Sequence, residues 1–269
     1  MTKSPRRQST SQKKSGVSRA QLGDLTTVEI SRLSRDTPLV FPVAALEQHG
    51  SHLPLITDTL LIGEIVRRAG ERLTGQVVFA PVLWLGNSDH HLDFSGTSSA
   101  GPRTYLSIIN DLAENFLRHG FKRIVFLNGH GGNDGPLKQA TFEVRQRYRA
   151  RDGLLLLAAT YWNQADAAGL SKLGMRQTQM GHACEWETSM VLSIAPHLVG
   201  DYRRVKPTEQ GGSFAFGTRA WVTQDRSKAG HIGQPHAATA EKGAALLQLF
   251  TDGVVRLLSR VVAWDGKSW

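Results

Sequence analysis

Residues 38–58 read PLVFPVAALEQHGSHLPLITD: an apolar run, a polar cluster, and the start of a second apolar-periodic segment. The run at 38–46 is short and continuous, as in a strand buried on both faces. From 58 to 72 the apolar positions recur at helical spacing. The same alternation continues outward. Strands are expected at 76–85 (QVVFAPVLWL), 123–127 (RIVFL) and 153–161 (GLLLLAATY), and helices at 102–119, 133–149 and about 237–262. Strand, helix, strand, helix in apolar runs of this kind predicts a three-layer α/β/α sandwich around a mostly parallel sheet. With neither an internal repeat nor a clear linker, residues 21–269 are expected to form one domain.

In such sheets functional groups gather beyond the carboxyl ends of the strands. The polar clusters fall there: EQHGSH after the first strand, GNSDHHLDF after the second, NGHGGN after the third and YWNQ after the fourth. Glu47 and His49 are two apart on an extended exit and can face one site, with Gln48 turned away. Asp58 sits near a helix N-terminus, where a carboxylate is held rigid and ionised. A carboxylate has two oxygens and can serve two ions. His130 lies between glycines that let the backbone turn sharply. NGHGGN lacks the Lys-Ser/Thr of a nucleotide-binding loop. In GHACEWETS (181–189), His182 and Glu185 would share a face if both were helical, with Glu187 pointing elsewhere. His91, with His90 beside it, is another candidate. His119 and His197 read as ordinary residues.

The net charge is +9, but residues 1–20 hold six Lys or Arg and no acid, which leaves +3 for the remainder. That segment is Ser/Thr/Gln-rich and reads as a disordered, solvated tail rather than a nucleic-acid arm, since no aromatics interleave with its charges. Arg6-Arg7 lacks the hydrophobic stretch of a secretory signal, and no apolar run has the length of a membrane span. The single cysteine, Cys184, excludes an internal disulfide and fits a reducing compartment, so a cytoplasmic protein is expected.

The chain resembles the creatininase family (creatinine amidohydrolase and related metal-dependent amide hydrolases) over residues 39 to 245. The likeness rests on LEQHGSHLPLITD, HLDFSGT, NGHGGN, HACEWETS and GHIGQPHAATAEKG, although Gln234 stands where an Asp is common. The resemblance implies Glu47, His49, Asp58 and His130 as ligands of two divalent ions (Zn, Mn or Fe), with Asp58 bridging. It also implies His182 as the residue passing protons to a leaving nitrogen, and a homo-oligomer, a hexamer. Enzymes acting on creatinine carry a further Glu ligand where this chain has Gly132; Glu185 is the expected substitute, with Glu187 as the alternative. They also place a Trp where this chain has Thr178, while Trp162 matches a second substrate-side Trp.

The implied activity is hydrolysis of a small amide, lactam or formamide by a hydroxide held between the ions, with the N–H groups of Gly131 and Gly132 holding the oxyanion. Three alternatives stand beside it. Two are enzymes: one trimming a modified peptide with the same site, and creatinine amidohydrolase proper. The third is a metal-dependent regulator that uses its tail on nucleic acid.

Overall fold

The computed structural model describes residues 21–269 except 210, 212, 213, 215 and 216. The basic tail expected at 1–20 lies outside the described residues. Helix α1 (Thr27–Arg32) leads into β1 (Leu39–Val43), α2 (Thr57–Arg72), β2 (Val78–Phe79), α3 (Pro102–Arg118) and β3 (Arg123–Asn128). Then come α4 (Asp134–Arg147), β4 (Leu155–Thr160), α5 (Ala167–Ser171), α6 (Glu185–Ile194), α7 (Thr223–Arg226) and α8 (Ala240–Ala263).

The sheet is wholly parallel in the order β2-β1-β3-β4. Alternation along each strand sorts its side chains into two cores. Leu39, Phe41 and Val43 of β1 and Ile124 and Phe126 of β3 pack with Tyr105, Ile109, Leu137 and Val144 of α3 and α4. Val40, Val125 and Leu127 point the other way, onto Ile62 and Ile65 of α2, Met190 of α6 and Phe250 of α8. A sheet covered on both faces has no polar side to expose, which explains the continuous apolar runs. The three-layer α/β/α sandwich is the observed architecture.

Two local rules set element ends. Pro102 occupies the first turn of α3, where a missing N–H costs nothing. Gly120, at φ 92°, follows its last turn. The expected strand at 76–85 is much shorter. Ala80 N bonds Val40 O and Leu83 N bonds Pro42 O, so three residues on one side oppose two on the other. Pro81 lies inside that bulge, has no N–H to give, and ends the regular ladder.

The register decides where the chemistry goes. Val43, Asn128 and Thr160 stand level at the carboxyl edge of the sheet. The exits from β1, β3 and β4 therefore deliver Glu47, His130 and Trp162 to one end of the molecule. On the far side α8 lies so close to α6 that a Cβ at Gly243 would collide with the Ser189 carbonyl. That contact fixes α6, and with it the residues at its start. Among the described residues no helix is long and apolar enough to cross a membrane.

Candidate metal centre

Three imidazoles reach the end of the sheet from different elements, and each is fixed in the same way. His49 Nδ1 lies 3.1 Å from the Glu47 carbonyl, His130 Nε2 lies 2.9 Å from the Asn87 carbonyl, and His182 Nε2 lies 2.8 Å from the Gln48 carbonyl. A carbonyl only accepts, so each of these nitrogens carries the hydrogen. The other nitrogen of each ring then faces inward, which is how metal-binding histidines are usually oriented.

The inward nitrogens meet carboxylates. Asp58 is the second residue of α2, and its two oxygens face different partners. Oδ1 is 3.2 Å from His49 Nε2, and that nitrogen is 3.8 Å from Glu187 Oε1. Oδ2 is 3.0 Å from His130 Nδ1, which is 3.3 Å from Glu47 Oε1. Glu47 Oε1 also lies 3.6 Å from His182 Nδ1 and 3.4 Å from His91 Nε2. Both oxygens of Glu47, Asp58 Oδ2 and His49 Nε2 are buried without a hydrogen-bond partner. Buried polar atoms are rarely left so. Several ligand atoms converge at once: Glu47, His49 and Asp58 form one group within reach of a single ion, and Glu47, His90 and His130 form another. Oxygen and imidazole donors of this kind suit a divalent ion of intermediate hardness. The residues present fit a divalent metal.

The electrostatics agree. Burial works against the charge on Glu47, yet the neighbouring His130 and His91 hold it below the usual carboxylate range. Asp58 is likewise buried and is held low by His49 and His130. The carboxylates in turn draw His49 and His130 well above the usual histidine range, against the effect of burial. His182 goes the other way. Burial first, then the adjacent His49 and His91, keep it well below that range and therefore neutral.

Glu187, not Glu185, joins this cluster. His182 precedes α6 and bridges Ile232 in extended pairing, so helical spacing does not relate it to Glu185. Glu185 is fully buried and fully engaged elsewhere. Its Oε2 accepts from Arg176 N at 2.8 Å and Gln177 N at 2.9 Å, and its Oε1 from Lys242 Nζ at 2.6 Å. Glu187 bonds Cys184 N with Oε2 at 3.2 Å, capping the helix, and turns Oε1 to His49. Between His182 and the helix, Ala183 holds a left-handed φ of 47°, unusual for a residue with a Cβ. That turn separates His182 from the helix.

Gln48 leaves the centre, as expected of the middle residue of Glu-x-His, but it is not idle. Its Nε2 lies 2.7 Å from the Gly230 carbonyl, 2.8 Å from His91 Nδ1 and 3.0 Å from His182 Nε2, and its Oε1 accepts from Gly50 N. Because His182 Nε2 already carries a hydrogen, the two amide hydrogens go to Gly230 and His91. The side chain therefore sets the His91 tautomer, while the Gln48 carbonyl holds His182. Glu-Gln-His offered no sequence signal for this beyond the motif itself.

A cavity of about 690 Å³ opens from the cluster. Glu47, Asp58, His130, His182 and Glu187 line it at the cluster, and Trp162, His91, Gly131 and Gly132 line it beside them. Trp221, Arg219 and Arg226 complete the wall from an irregular Gly-rich stretch that carried no sequence signal. A Cβ at Gly132 would collide with the Asn87 carbonyl and lie 2.6 Å from His130 Nε2 and 2.9 Å from His90 Cε1. No side chain fits there.

The creatininase family model, described as creatinine amidohydrolase, matches residues 23–258. A mycofactocin precursor peptide peptidase of Mycobacterium ulcerans is 30% identical over 90% of this chain and 92% of its own. The creatinine amidohydrolase of Pseudomonas putida is 29% identical over 87% of this chain and 94% of its own. A solved mutant creatininase of Zn–Zn type superimposes with a TM-score of 0.77 at 26% identity, over 90% of this chain and 98% of that one. With its fold, its convergent His and carboxylate cluster and this match over most of its length, the chain belongs to the creatininase family of metal-dependent amidohydrolases.

Proposed function

We propose that the chain hydrolyses an amide-type C–N bond with two divalent ions bridged by Asp58. Glu47 and His130 hold one ion and His49 and Glu187 the other. The observation that carries this reading is the division of Asp58: Oδ1 faces His49 and Oδ2 faces His130. A solved relative described as Zn–Zn supports the count and makes zinc the first metal to try. Bound there, divalent ions lower the pKa of a water and polarise a carbonyl.

The protein's own residues do the rest. His182, neutral and with Nδ1 bare toward Glu47, accepts a proton at the centre and returns it to the departing nitrogen. Gly131 and Gly132 line the cavity, and their N–H groups would hold a developing oxyanion. Trp162 and His91 line the cavity beside the cluster and would shape the space the substrate occupies.

A second reading, trimming of a modified peptide, is favoured by the cavity. About 690 Å³ is far more than a single small lactam fills. A relative named as a peptide peptidase points the same way.

Metal analysis and an amide and peptide hydrolysis panel, run on wild type and Asp58→Ala, test the proposal. Two ions per chain and turnover are expected for wild type, and loss of both for the variant. Full metal and full activity in Asp58→Ala would sink it.

A further inference from the structure

The short turn Asp89–His91 brings two adjacent imidazoles to the centre, and they arrive differently. His91 Nδ1 accepts a hydrogen from Gln48 Nε2, so its own hydrogen sits on Nε2, 3.4 Å from Glu47 Oε1. His91 thus turns an N–H toward Glu47 and supports that carboxylate from outside. His90 has no such tie. Among the described residues its ring meets other rings, those of His91, His130 and Trp221, and no hydrogen-bond partner. It lines the cavity, and one of its nitrogens, one nitrogen of His130 and one oxygen of Glu47 all lie within 4.8 Å of one another. Glu47 is fully buried with both oxygens unpartnered. We propose that His90 is a further ligand of the ion held by Glu47 and His130, and that this second imidazole makes the two ion positions unequal. The inference rests on the two-ion reading above and deepens it.

Gly132 makes that placement possible. A Cβ there would lie 2.6 Å from His130 Nε2 and 2.9 Å from His90 Cε1, so only a residue without one lets the two rings stand beside each other. Their planes are nearly parallel, 14° apart, with centroids at 5.9 Å. Trp221 packs against His90 at 5.0 Å and 74°. The backbone that carries His90 is fixed to the centre as well. Its carbonyl accepts from the Thr223 hydroxyl at 2.7 Å. Asn87, three residues earlier, supplies the carbonyl that orients His130. One stretch of chain therefore sets both imidazoles.

The consequence is a difference in donor chemistry. One position gathers the imidazoles of His90 and His130 with the carboxylates of Glu47 and Asp58. The other has the single imidazole of His49 with the carboxylates of Asp58 and Glu187. Imidazole donors suit zinc, whereas carboxylates also suit harder ions such as manganese. The His90 position therefore takes zinc first, and the His49 position accepts manganese beside it.

Zinc itself is the probe. Metal-stripped full-length protein is titrated with zinc by calorimetry, and X-ray absorption counts the imidazoles on the first equivalent bound. Wild type is compared with His90→Phe, which keeps a ring against His130 and Trp221, and with His90→Gln as a second variant should the first misfold. Two imidazoles are expected on the first zinc in wild type and one in the variants. The tighter binding step should weaken by more than about 100-fold, the upper end for loss of a partner outside the ligand set. With zinc and manganese supplied together, wild type should hold one of each, and the variants should lose that order. A single imidazole on the first zinc of wild type overturns the inference. So do two imidazoles that persist in the variants, which would assign the second one to His182. The readout is coordination rather than turnover, so the two proposals separate. A His90-dependent pair of imidazoles without amide turnover removes the hydrolase reading alone. Turnover with one imidazole on the first zinc removes this inference alone, and a protein that binds no zinc loses both.

Discussion

Glu187 Oε1 stands 3.8 Å from His49 Nε2, on the same side of the centre as Asp58 Oδ1. Glu185, two residues earlier, is tied to Arg176, Gln177 and Lys242 instead. The two substitutions should therefore separate. Glu187→Gln is expected to lose one of two ions with little change in folding. Glu185→Gln should keep both ions yet cost about 3–5 kcal/mol, because Lys242 is left without its buried partner. Metal content and denaturant unfolding of both variants check this, and loss of an ion only in Glu185→Gln would reverse the assignment.

The Gln48 side chain supports His91 without touching a carboxylate of the centre. Gln48→Leu removes the donors to Gly230 and His91 at nearly constant volume. Loss of an outer partner of this kind usually costs 10- to 100-fold in metal affinity or activity. We expect a fall of that order in kcat/KM with the fold retained. Wild-type kinetics in the variant would show that the bracing is dispensable.

Gly132 marks where enzymes acting on creatinine carry an additional Glu, and restoring that residue should not restore a site. A Cβ there collides with the Asn87 carbonyl and crowds His130. Gly132→Ala is expected to destabilise by about 1–3 kcal/mol through overpacking, and Gly132→Glu to weaken metal retention by displacing His130. Thermal unfolding with metal analysis decides; a Gly132→Glu protein that gains creatinine hydrolysis would contradict the packing argument.

His52 is buried between Thr188, which its Nε2 meets at 3.0 Å, and His231. Burial first, then the charges of His231 and His49, press it down from 6.5 to about 4. The unfolded chain therefore binds the extra proton between those values. Its contribution is complete above about pH 6.5 and is lost as pH falls toward 4, amounting to about 3 kcal/mol. The stability difference between wild type and His52→Gln should shift by that amount across this window. A flat difference would show that His52 is not held neutral.

What could be read without coordinates follows the range of the interactions. The alternation of Leu39, Phe41 and Val43 against Val40 is local, so the sheet and its two covers were legible. Glu47, His49 and Asp58 share one strand exit and one helix start, and His130 follows the neighbouring strand in register, so the convergence of these four candidate ligands was legible too. Glu187 was not, because its direction depends on the residue where α6 begins, and a left-handed Ala183 sets that. Pro81 was visible, but the bulge that shortens β2 depends on pairing with β1. Trp221 and Arg226 come from a stretch with no period at all, and contacts of Thr223 and Trp221 with His90 and His91 bring them to the centre.

That Thr223 contact has an evolutionary consequence. The candidate ligands hang from strand ends and helix starts that the core cannot release, whereas the 218–226 stretch reaches the centre through the Thr223 hydroxyl and the Trp221 ring. Sequence drift in that stretch can exchange the outer wall while the floor stays unaltered. Related chains can then diverge in what they accept, from a compact lactam to a peptide, without reinventing the chemistry beneath.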